Sequence, residues 1–117
     1  MMPRKTLSPA LAAALLGVAF TGSTLAAGDA ANGEKLYNQT CIACHGEDGT
    51  GSVPGTPDLT QADGPLSKPD SELVNNIMEG FQSPGSPMAM PPQGGNPELT
   101  EDDARDLVVY MRRRFSL

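Results

Sequence analysis

The chain has 117 residues, 13 glycines, 11 prolines, two tyrosines, three phenylalanines and no tryptophan, with a net charge of −6. That length allows one domain at most, and so few aromatics leave it a small apolar core unless something else fills it. The negative charge makes nucleic acid and anionic lipid poor partners.

The N-terminal stretch reads as a secretory leader. Arg4 and Lys5 open it, an alanine- and leucine-rich run extends from Leu7 to Phe20, and small residues follow from Thr21 to Ala27. An apolar run of about 14 residues falls short of the roughly 20 that span a bilayer, so export is preferred over a membrane anchor. Cleavage is expected after Ala26 or Ala27, dividing the chain into a leader, 1–27, and a mature domain, 28–117. Because Arg4 and Lys5 leave with the leader, 6 basic residues then face all 14 acidic ones, a charge of −8. An anion of this kind is steered toward a basic patch on a partner, although acidic faces also serve solubility alone.

The mature chain is predicted to be all-α with long loops. Asp29 caps a helix running to about Thr40, with Ala30, Gly33, Leu36 or Tyr37, and Cys41 at three- and four-residue steps. Glycine inside a helix costs about 1 kcal/mol against alanine, so Gly33 points to a close approach by another backbone or ring. The helix leads into Cys41-Ile42-Ala43-Cys44-His45, which holds both cysteines and the one histidine of the sequence. Two thiols at this spacing can add to the two vinyl groups of one haem while the next residue's imidazole reaches the iron. A zinc site usually needs four ligands where three are present, and a redox dithiol wants a βαβ setting that this chain lacks. Covalent haem also supplies the apolar body the small core needs.

Residues 46–59 are too rich in glycine and proline for regular structure, and an ordered loop is expected there. A short helix follows from Asp70 to Gly80, capped by Asp70 or Ser71, with Leu73, Val74 and Ile77 on one face and Gly80 as its stop. After a second loop, Ser83 to Pro97, comes the clearest helix. Thr100 caps it, Asp103 completes an approximate capping box, acidic residues occupy its first turn and Arg112 to Arg114 its last. Ala104, Leu107, Val108 and Met111 form its buried stripe, with Tyr110 beside it and able to fill the space left by Gly33.

With one histidine, the second axial position of a haem iron falls to methionine, water or a small molecule. Met88 and Met90 are the loop methionines beyond the central helix, in Ser86-Pro87-Met88-Ala89-Met90-Pro91-Pro92. Met90 is preferred over Met88 because the two prolines after it stiffen the chain against the entropy of a mobile loop.

The Cys41-to-Gly46 motif, the Met90-Pro91-Pro92-Gln93-Gly94-Gly95 loop, the glycine-containing first helix and the capped last helix together resemble a small class I cytochrome c, most like the bacterial c5-like group. The resemblance implies thioethers at Cys41 and Cys44, His45 as proximal and Met90 as distal ligand. It further implies a proline carbonyl that accepts the other imidazole N–H, at Pro57 or alternatively Pro54, with Leu59 against the haem. Gly33 and Tyr110 resemble the family's crossing of first and last helices. The extra cysteine pair of some c5-like proteins is missing here.

The expected function is a periplasmic electron carrier, monomeric and not an enzyme, that cycles a His/Met-ligated haem c between Fe(II) and Fe(III). Redox donor and acceptor are expected to dock transiently at the haem edge. The alternative is a haem subunit or ligand-binding sensor of one oxidoreductase complex, with an open or labile distal position.

Overall fold

The computed structural model describes residues 28–116, together with positions 2, 3, 10 and 12–19. The expected cleavage after Ala26 or Ala27 lies outside the described residues, as does much of the expected leader. Four helices carry the fold: α1 (Ala30–Leu36), α2 (Ile42–His45), α3 (Asp70–Glu79) and α4 (Glu101–Phe115). Single 3₁₀ turns, Pro65–Ser67 and Pro92–Gly95, punctuate the loops. No described helix is long and apolar enough to cross a membrane.

Asp29 caps α1 as expected, its carboxylate accepting from Ala31 and Asn32 N–H at 2.9 and 3.3 Å. The helix does not stop near Thr40. It continues through a π-helical segment, Tyr37–Cys41, straight into α2, so the cysteines and histidine lie on helix rather than beyond it. Ile42 N–H bonds to the Tyr37 carbonyl five residues back, and the extra residue per turn re-aims Cys41 and His45 relative to the face of α1. Such π segments are frequent at functional sites.

α1 and α4 cross at Gly33. A Cβ built there would stand 2.1 Å from the Asp106 carbonyl oxygen and 2.7 Å from Tyr110 Cβ, so the two backbones meet where only glycine fits. Tyr110 does flank the crossing, but its ring packs on Tyr37, with centroids 5.4 Å apart, and Phe115 closes the cluster at 5.4 and 6.1 Å from the two tyrosines. Polar contacts lock the same crossing: Asp106 accepts from Asp29 N–H at 2.6 Å and from the Asn32 side chain at 2.7 Å.

The buried stripe of α4 contains the four expected residues and extends one turn further to Phe115. The full capping box forms, Thr100 Oγ1 accepting from Asp103 N–H at 3.1 Å and Asp103 from Thr100 N–H at 3.0 Å. At α3 the cap differs from expectation. Neither Asp70 nor Ser71 caps it; both lie inside the first turn, Pro69 is the N-cap with its carbonyl accepting from Glu72 and Leu73, and the Asp70 carboxylate is engaged by Arg112. Gly80 ends α3 at φ +81°, with Met90 O only 2.8 Å from where a Cβ would be. The core comprises Tyr37, Leu59, Leu66, Leu73, Val74, Leu99, Ala104, Leu107, Val108, Met111 and Phe115.

Candidate haem site

One cavity of about 340 Å³ opens between the two long loops. Cys41 and His45 line it from the first helical run, and Pro57 and Leu59 from the loop after it. Leu73 and Ile77 of α3, Leu107 and Met111 of α4, and Met88 and Met90 of the second loop complete its walls. Its lining is mostly apolar, with Asp63 and Lys68 as its charged members. The helical stripes explain this placement: the faces of α3 and α4 that serve as core also form the ceiling of the cavity.

His45 is half-buried, and burial holds its imidazole below the ordinary histidine range, in the neutral form a metal requires. Cys41 packs against the core, where burial first and the neighbouring Cys44 second push its thiol up to about 11. Cys44 is exposed on the flank and is not among the residues that line the cavity. The carbonyl of Gly46, directly after His45, accepts from the buried Tyr37 hydroxyl at 2.5 Å, tying the end of α2 to the π segment.

The implied bond from His45 to the Pro57 carbonyl is not formed: Nδ1 of His45 is buried without a hydrogen-bond partner, and Pro57, though on the cavity wall, is otherwise exposed. Leu59 is deeply buried and on the wall.

The two methionines differ in how they are held. Met90 exchanges two backbone hydrogen bonds with Phe81, 2.8 and 3.1 Å long, in an antiparallel bridge. Gly80 leaves room for its carbonyl, which lies 2.8 Å from where a Cβ would stand, and Pro91 and Pro92 follow it. Met88 is 41% exposed, and its backbone is anchored by the Ser86 hydroxyl. Past Met90 the chain turns through left-handed conformations at Gln93, Gly94 and Gly95, and Gln93 Nε2 donates to the Leu99 carbonyl at 2.8 Å.

A neutral, half-buried imidazole with an orphaned buried nitrogen, a thiol and a thioether converge on one apolar cavity, and these residues fit a covalently attached haem. A helical shell closed over such a cavity, with first and last helices crossing at glycine, defines a small monohaem class I cytochrome c. The chain matches the cytochrome c family model over residues 30–114 and belongs to that family. Its cofactor is covalently bound haem c, and Cys41 and Cys44 have the spacing that attachment requires.

Among relatives, cytochrome c-555 of Prosthecochloris aestuarii is 32% identical over 85 residues, which cover 71% of this chain and 85% of that one. Cytochrome c-554(548) of Halomonas halodenitrificans is 34% identical over 84 residues, covering 72% and 94%. Among solved structures, the c-type cytochrome XoxG of Methylobacterium extorquens AM1 superposes with a TM-score of 0.56 at 31% identity, covering 73% of this chain and 49% of that one. Cytochrome cL of Methylophaga aminisulfidivorans gives 0.55 at 28%, covering 72% and 51%. The chain thus spans about half the length of these two structures.

Sequence reasoning missed part of the site. Leu107 and Met111 were legible only as core, because periodicity finds a buried face without saying what it faces. Lys68 and Phe81 carry no pattern at all, since they meet only through loop geometry.

Proposed function

We propose that this chain is an exported periplasmic electron carrier whose haem is held by thioethers at Cys41 and Cys44 and ligated by His45 and Met90. The family assignment establishes electron transfer through haem c; the ligand set and location are this reading's own. Bound haem supplies reversible one-electron exchange between Fe(II) and Fe(III). His45 offers a neutral ring, and Met90 a thioether that favours the reduced state. Burial between apolar walls together with the Met90 thioether would raise the potential relative to bis-histidine ligation. In this reading residues 28–117 are the mature domain, residues 1–27 are removed on export, and redox partners dock transiently as one monomer meets another protein.

The observation that carries the reading is the backbone clamp on Met90: paired with Phe81, abutted by Gly80 and followed by two prolines, it can keep a weak ligand in place at little entropic cost. The test is ligand access. Met90→Ala should let the ferrous protein bind carbon monoxide readily at neutral pH, whereas Met88→Ala should leave it closed; the reverse pattern would move the ligand to Met88.

A further inference from the structure

A continuous chain of contacts runs from the last helix to the backbone of Met90. Arg112, on α4, donates to the Leu66 carbonyl at 2.6 Å, the Lys68 carbonyl at 2.7 Å and the Asp70 carboxylate at 2.7 Å. These bonds fix the Leu66–Asp70 segment, and with it the backbone of Lys68, on the cavity wall. The Lys68 ammonium then lies 4.1 Å from the centroid of the Phe81 ring and 3.1 Å from Glu72 Oε1. Phe81 in turn makes the two backbone bonds that hold Met90.

Phe81 lines the cavity and lies next to the stop of α3 at Gly80. A cation over its face adds an attraction that depends on the ring staying where it is. Any backbone motion that draws Met90 away from the cavity must break its bridge to Phe81 or carry Phe81 with it. We infer that Lys68 is a positioning residue for the distal ligand: anchored by Arg112, it restrains Phe81 and thereby sets how often the Met90 loop opens. This inference rests on Met90 as ligand.

Exogenous imidazole added to the oxidised holoprotein reads the opening directly, because its apparent affinity scales with the fraction of molecules in which the distal position is free. Lys68→Met keeps the apolar contact and removes the cation, and should tighten imidazole binding about threefold to tenfold, the scale of one cation–ring contact. Lys68→Arg should restore the affinity of the unmodified protein. Glu72→Gln removes the ion pair but leaves the ammonium over the ring, and should change little, as should Lys35→Met on the exposed face of α1.

The inference is overturned if Lys68→Met leaves imidazole binding unchanged or weaker, if Lys68→Arg loosens the loop equally, or if Glu72→Gln or Lys35→Met reproduces the effect. The thermal unfolding midpoint of each variant separates a general loss of stability from loop opening. Met90→Ala separates the two readings: if it leaves imidazole affinity unchanged, the ligand assignment itself fails, whereas a large increase there beside an inert Lys68→Met rejects only the role of Lys68.

Discussion

At the scale of single residues, Tyr37 does more than fill space. Its ring joins Tyr110 and Phe115 behind the attachment motif, while its hydroxyl holds the Gly46 carbonyl one residue past His45. Burial raises its pKa above the ordinary tyrosine range, so it stays a hydrogen-bond donor across the physiological range. Tyr37→Phe keeps the ring and leaves that carbonyl with a 3.4 Å bond from Gly49. The variant should lose about 1 to 2 kcal/mol in denaturant unfolding of the holoprotein; equal stability would show the hydroxyl to be idle. Sequence marked this position only as one of two members of a helical face. The spacing of Cys41 and Cys44, in contrast, was legible outright, because covalent attachment dictates it independently of the fold. The bond from His45 to the Pro57 carbonyl was not legible from the residues themselves. It came from resemblance, and the orphaned Nδ1 shows that the loop does not form it here.

At the scale of elements, the crossing of α1 and α4 organises the shell. Gly33→Ala adds helix propensity worth about 1 kcal/mol, yet its Cβ would meet a backbone carbonyl at 2.1 Å. The helices must separate, and thermal unfolding should report a net loss of about 3 kcal/mol or more; a stabilised variant would mean that the crossing yields freely. The capping box of α4 carries a pH dependence. Asp103 is held below the ordinary carboxylate range, chiefly by the hydrogen bond from Thr100 N–H. A lowered folded-state value stabilises the fold above the unfolded carboxylate pKa of about 4 and is lost as pH falls through the folded value. The stability gap between the protein and Asp103→Asn should therefore be open at neutral pH and close in acid; a gap that widened in acid would contradict the cap. This helix was readable in advance from its cap, charges and stripe. The end of the first helix was not. Its π segment packs against α4 through Tyr37 and against the second loop, where Gly94 abuts Thr40, and no local propensity encodes such contacts. At α3 the sequence offered Asp70 as a cap, whereas it lies inside the first turn and its carboxylate is engaged by Arg112, 42 residues away.

For the whole molecule, the core is inseparable from its cofactor. Few aromatics and a short chain foretold that something must complete the interior, and the cavity between the loops, walled by the same helix faces that form the core, is where it fits. Of the three arginines that close α4, Arg112 is taken up in holding the Leu66–Asp70 segment, so it serves the cavity wall. In the proposed function this cavity encloses an iron with two protein ligands, as befits a carrier of electrons. The most direct test is the visible and near-infrared spectrum of the exported, haem-loaded protein, oxidised and then reduced under carbon monoxide. Iron held by His45 and Met90 should give a thioether-to-iron band in the oxidised form and a reduced spectrum that carbon monoxide leaves unchanged at neutral pH; a missing band together with ready carbon monoxide binding would rule that ligand pair out.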